Sequence, residues 1–162
     1  MSRFCIFFSL SGRALAIPGE HVREIVPMAD VSTAPAMPGI LEGFLNLGGA
    51  AIPVMRLDRL FDWPEPARRM YSCVIIMETR EAPLGFFADE AMAARPVPSG
   101  DILPCPQSQT FNGCVEADID IDGRRFHLLS PARVLLEQES RRIAEFQVME
   151  QKRLNDLAKP RA

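Results

Sequence analysis

The chain has 162 residues, of which 48% are hydrophobic and 24% charged, with a net charge of −3. That is room for one globular domain, or two small subdomains sharing a core, and the composition is not that of a disordered chain. No clustered basic face appears, which excludes nucleic acid as a partner, and no apolar run approaches the roughly 20 residues that a membrane span needs.

Arg3 and the aromatic run after it, with Ala14-Leu15-Ala16 downstream, share the outline of a secretory leader. Ser9, Ser11 and Gly12 break that run, and Arg13 stands before the supposed cleavage point. The segment therefore reads as a strand pair, 4–10 and 13–17, turning at Ser11-Gly12 and ended by Pro18-Gly19. A short strand over 22–26 follows, and residues 28–38 are irregular around Pro35 and Pro38.

The stretch 43–61 reads as two apolar strands joined by Gly48-Gly49, then a helical turn around Leu57, Leu60 and Phe61. A two-residue Gly-Gly connection supplies the positive φ that a type I′ turn needs at both central positions. Register follows: Leu47 faces Ala50, Asn46 faces Ala51, and Leu45 faces Ile52, so the Leu/Ile set shares a buried face. After a proline-rich connection over 63–69, residues 70–77 read as a strand buried on both sides, and 84–88 returns. Residues 91–97 are another strand, and 100–110 a loop.

In the last hairpin, Asp118-Ile119-Asp120-Ile121 alternates at period two and Asp122-Gly123 turns. Ile119 then meets Phe126 and Ala117 meets Leu128 on the core face, while Asp120 meets Arg125 and Asp118 meets His127 outside. Ser130-Pro131 reads as an N-cap followed by proline at the first helical position. Helix-forming sequence continues from there to about Lys159, roughly 40 Å if unbroken. Its stripe of Leu136, Ile143, Phe146, Leu154 and Leu157 is interrupted by Glu139 and Glu150. Such a helix packs on its own barrels or pairs with another copy, so self-association is open.

Fourteen prolines punctuate short strands and argue against long helices before residue 131. Many short strands with turns at this spacing predict an all-β fold, barrel or sandwich, rather than alternating βαβ units. The domain spans residues 1–136, with 137–162 as a helical extension.

Chemistry-bearing groups are sparse. Cys5, Cys73, Cys105 and Cys114 form no C-x-x-C pair, and only His21 and His127 could join them around a metal. They read as reduced, buried thiols of a cytoplasmic protein, with no metal or cofactor. Asp118, Asp120 and Asp122 imitate an EF-hand opening, but position twelve of that loop is Leu129 and not a bidentate acid. His127 beside Asp118, with Cys114 or Ser130 as nucleophile, lacks any spacing that makes a triad converge. Trp63 reads as a lid over the end of a small barrel. The chain is thus expected to be no enzyme, and a β-barrel module for a peptide or small ligand is the competing class.

The wording of several segments resembles the CheW family of chemotaxis coupling proteins. Phe8-Ser9-Leu10 through Leu15-Ala16-Ile17-Pro18 is similar to that family's opening strand pair, and Val22-x-Glu24-Ile25 to its Val-x-Glu-Ile stretch. Asn46-Leu47-Gly48-Gly49, Ile52-Pro53-Val54 and Arg56-Leu57-Asp58 resemble its Asn-Leu-Arg-Gly, Ile-Pro-Val and Asp-Leu-Arg. Gly85-Phe86-Phe87-Ala88-Asp89 resembles the strand ending in Val-Asp. The resemblance implies two small five-stranded SH3-like β-barrels around a shared apolar core, plus the C-terminal helix. It also implies a non-catalytic adaptor between the cytoplasmic hairpin of a chemoreceptor and the regulatory domain of a CheA-type histidine kinase. On that pattern Val22, Glu24 and Ile25 line the groove for the receptor helix. Asn46, Leu47, Gly48, Arg56 and Asp58 belong to the receptor or kinase surface. Two departures stand out: glycine replaces the family arginine at position 48, and the Asp-Leu-Arg order is inverted at 56–58. If Arg56 and Asp58 pair internally the inversion preserves their bond; if either faces a partner, the local field is reversed.

Overall fold

A computed structural model describes residues 1–66, 70–79, 82–105 and 114–159, without the side chain of residue 137. Eleven strands occur among these residues: β1 (Ser2–Leu10), β2 (Arg13–Pro18), β3 (Val22–Pro27), β4 (Leu41–Leu47), β5 (Ala50–Met55), β6 (Cys73–Met77), β7 (Leu84–Ala88), β8 (Glu90–Pro98), β9 (Ile102–Pro104), β10 (Val115–Ile121) and β11 (Arg124–Leu129). The helices are a single turn, α1 (Leu57–Leu60), and a long one, α2 (Glu137–Ala158).

The strands form two sheets. One has six strands in the order β8-β1-β2-β11-β10-β9, and the other has five, β3-β6-β7-β5-β4. The first thus carries one strand more than the five expected. Both are wired alike: an outer strand, an antiparallel hairpin, one parallel join (β2 with β11, β5 with β7), then a second hairpin. The outermost strands of the six-stranded sheet, β8 and β9, are separated in the chain only by a 3₁₀ turn at Ser99–Asp101. So short a link requires the sheet to curl until its edges approach, which is what makes each unit barrel-like. In the five-stranded sheet the chain leaving β3 bridges Ser32 to Phe44 of β4, drawing those edges together too.

The two units are nested in the chain. β3 follows β2 but pairs with β6, whereas β8 follows β7 but pairs with β1. The five-stranded unit is therefore inserted within the six-stranded one, and the chain crosses between them twice. One core spans both: Phe8, Leu10, Leu15 and Ile17 from the first sheet meet Ile52, Ile75, Phe86 and Phe87 from the second. A smaller core fills the six-stranded barrel, with Phe7 and Phe126 edge-to-face at 4.8 Å. Alternation along β1 explains the division, since Cys5 and Phe7 point into that barrel and Phe8 and Leu10 into the shared core.

The predicted hairpin registers are those observed. Leu47 pairs with Ala50, Asn46 with Ala51 and Leu45 with Ile52, and Ile119 with Phe126, Asp120 with Arg125 and Asp118 with His127. The two-residue turns Ser11-Gly12, Gly48-Gly49 and Asp122-Gly123 have positive φ at both central residues, the type I′ geometry that matches strand twist.

Three expectations are corrected. The strand expected over 70–77 starts at Cys73, because Met70 and Tyr71 are exposed. Part of the loop expected over 100–110 is the edge strand β9, which pairs Pro104 with Ala117; proline needs no ladder donor at an edge, and residues 106–110 lie outside the described ones. The final helix does not start at Pro131. A 3₁₀ turn, Pro131–Arg133, comes first, and α2 begins at Glu137, where the Leu136 N–H donates to Glu139 Oε1 at 2.9 Å. Its 22 residues span about 33 Å. Ile143 and Phe146 are buried in the shared core, so α2 packs on its own strands.

Candidate functional site

The residues singled out from the sequence fall on three elements. Val22, Glu24 and Ile25 lie on β3, and Asn46, Leu47 and Gly48 on the β4–β5 hairpin, at the opposite outer strands of one sheet. Arg56 and Asp58 flank the start of α1.

On β3 a bulge between Val22 and Glu24 interrupts the pairing with β6. An extra residue there breaks the in–out alternation, and Arg23, Glu24 and Ile25 are all exposed in succession. Ile25 is 40% exposed, a large aliphatic side chain on an outer strand. Val22 is only half-buried but packs against the shared core. On the hairpin, Asn46 and Gly48 are exposed, and Asn46 Oδ1 accepts the Gly49 N–H at 2.9 Å, bracing the turn. Leu47 is half-buried against the core.

Arg56 and Asp58 lie beneath the surface, 5% and 1% exposed. The guanidinium donates from Nε to Asp58 Oδ1 at 2.8 Å and from Nη2 to Oδ2 at 3.0 Å. It also reaches Glu42 Oε2 at 3.1 Å and stacks 4.5 Å from the Phe87 ring. Burial alone lowers the arginine pKa, but Asp58, Glu42 and Glu65 together leave it raised. The charge inversion at 56–58 is therefore an internal pair. Arg59, with Nη2 2.7 Å from Glu42, extends the network outward.

Sequence reasoning missed Glu42 and Arg59, whose roles depend on α1 folding back over β4. It also missed Gln147 and Gln151 of α2. Gln151 Oε1 accepts the Ala51 N–H at 2.9 Å, and its Nε2 donates to Gly49 O at 2.8 Å; Gln147 Nε2 donates to Ala51 O at 3.5 Å. A glutamine pair four apart is common on solvated helix faces, so nothing local marks it. Trp63, expected as a lid, stacks on Phe61 at 4.8 Å with the Arg13 guanidinium 5.0 Å away.

A cleft of about 1240 Å³ runs between the first half of α2 and the two sheets, lined by Pro18, Pro53, Leu84, Leu135 and Ala144 among others. Among the described residues no Phe, Tyr or Trp lines it, unlike pockets built to grip a ligand. His127 Nδ1 is 2.7 Å from Asp118 Oδ1 with half the ring in solvent, a strand-pair contact. Among the described residues no cluster of His, Cys, Asp and Glu could hold a metal, and no helix is long and apolar enough to cross a membrane.

The comparisons with known proteins agree with one another. The CheW-like domain matches residues 5–139. The "Chemotaxis protein CheW" of Thermotoga maritima is 22% identical over 130 residues, covering 80% of this chain and 85% of its own. That of Bacillus subtilis is 24% identical over 137 residues, covering 83% and 87%. The crystal structure of the scaffolding protein TtCheW from Thermoanaerobacter tengcongensis has the same fold, with a TM-score of 0.78 at 24% identity, over 86% of this chain and 91% of that one. The twin curled sheets, one nested within the other in the chain, and a match over most of the chain give one conclusion: this chain belongs to the CheW-like domain family.

Proposed function

We propose that the chain is a non-catalytic cytoplasmic adaptor that couples a chemoreceptor's cytoplasmic hairpin to the regulatory domain of a CheA-type histidine kinase. The observation that carries this reading is the family match over residues 5–139, on a fold whose exposed outer strands present docking edges. The run Arg23-Glu24-Ile25, with an aliphatic side chain next to a charge, suits the apolar face of a receptor helix oriented by a rim charge. The tip Asn46-Leu47-Gly48 suits the second partner. Arg56 and Asp58 act from within, holding α1 against β4, and so leave the surface field unreversed.

Co-purification with a receptor signalling domain and a kinase regulatory domain from the same genome tests the reading. Ile25→Asp should abolish receptor binding with an unchanged far-UV circular dichroism spectrum. Gly48→Arg should strengthen kinase binding, since nothing lies within 4 Å of a Cβ built there and left-handed φ costs an arginine only about 1–2 kcal/mol. Failure to bind any receptor or kinase domain of that genome overturns the proposal.

A further inference from the structure

Among the described residues no strand lies beside the first half of β5 on the side away from β4, and α2 supplies a partner there with side chains. β7 pairs with β5 only from Val54 onward. Asn46 and Ala51 are opposed one step from the residues closing the Gly48-Gly49 turn. In that alternation Ala51 turns its N–H and C=O away from β4, and Gln151 and Gln147 take up both. A second Gln151 bond reaches Gly49 O. Pro53, the next residue facing that way, has no N–H to satisfy. Two carboxamides thus imitate the peptide groups of a neighbouring strand and blunt an open edge.

The two halves of α2 are held differently. The first half buries Ile143 and Phe146 in the shared core. The second half buries Glu150, whose carboxylate is bonded by Arg153 Nη1 at 3.2 Å, and leaves Leu157 78% exposed on the same inward side of the helix. Val148 and Met149 are exposed as well. Leu154 is the one apolar side chain of this half that packs, partly buried, against the shared core. A carboxylate in the docked face opposes docking, so this half is held by that contact together with the polar bonds to Gly49 and Ala51.

We propose that residues 147–158 of α2 form a releasable strap, which lifts from the β4–β5 hairpin while Ile143 and Phe146 stay anchored and uncovers the Gly49–Ala51 edge. On the coupling reading above, the strap competes with the partner that seats on the adjoining tip, Asn46-Leu47-Gly48. Release is then an internal control on binding.

Residue-resolved amide hydrogen exchange on the full chain tests this in wild type, Gln147→Ala/Gln151→Ala and Glu150→Leu. Losing each hydrogen bond should open the strap about fivefold more often. The double variant loses three such bonds, so the Ala51 amide should exchange about a hundredfold faster in it and more slowly in Glu150→Leu, with the amides of Ile143 and Phe146 unchanged. The two variants act in opposite directions, so a general loss of stability cannot mimic the result. Exchange of Ala51 only together with the β6 core amides in all three proteins would overturn the strap. Affinity for the kinase regulatory domain should rise in the double variant and fall in Glu150→Leu; equal affinities would overturn the control. Absence of binding in every variant, with the exchange pattern as expected, would sink the coupling reading and leave the strap standing.

Discussion

Arg56 and Asp58 hold each other by two parallel hydrogen bonds in a site almost closed to water, with the Phe87 ring under the guanidinium. Two residues apart in sequence, they clamp the strand-to-helix corner at the start of α1. A planar five-donor group matches a carboxylate in this way, and lysine could not.

Truncating one partner strands the other charge. Asp58→Ala should destabilise the fold by about 3 kcal/mol, near the low end for broken buried pairs, because Glu42 still holds Arg56. Replacing both, as Arg56→Met/Asp58→Leu, should recover most of that loss. Urea midpoints of the three proteins decide it, and a double variant as weak as the single would show that the pair holds α1 rather than only satisfying itself.

Asp89 ties the two units together from the end of β7. Its Oδ2 accepts the Ser11 N–H at 2.9 Å, at a turn residue with a φ of 51°, and its own N–H donates to Ser9 O. Asp89→Ala should lose about 1.5–3 kcal/mol, as for hydrogen bonds to charged groups. A thermal melt should show it, and an unchanged midpoint would mean that the bonds the variant keeps, Ser11 Oγ to Pro64 O, Arg13 Nη1 to Ser11 O and the backbone bond to Ser9 O, suffice to hold the β1–β2 turn.

The insertion of one unit within the other predicts one cooperative unfolding transition. Neither unit can open without exposing its half of the shared core, so no half-folded state is well populated. Fluorescence of Trp63, the single tryptophan, should follow the same urea curve as far-UV circular dichroism. Separated curves would show that the units unfold independently.

Alkaline stability should fall through the buried thiols. Burial raises the Cys5 and Cys73 pKa values, whereas an unfolded cysteine ionises near about 8.5. As pH rises past that value the unfolded chain releases these protons first, so the stabilising contribution is complete below it and is lost toward the raised folded values. The Cys5→Ala/Cys73→Ala variant should lose less stability between pH 8 and 9.5 than the wild type does. Parallel declines in the two proteins would remove the thiols from the account.

The hairpins were legible in the residue string because their determinants are local. Two adjacent turn residues set the φ values, and a period of two then assigns each side chain to a face, which is why the pairing of Asn46 with Ala51 and of Asp118 with His127 could be written down residue by residue. The apolar run at Cys73–Met77 likewise announces a strand covered on both sides. The candidate surface was legible only through wording shared with a family. Which strand joins which sheet was not readable, since β3 and β8 each leave the hairpin they follow for the other unit, and that choice rests on burying one core from both sides. Nor could the string tell that Arg56 and Asp58 turn inward, or that Gln147 and Gln151 serve as peptide groups for an unpaired edge. Those roles belong to groups about 100 positions apart in the chain, or to a corner that becomes dry only after α1 closes over β4.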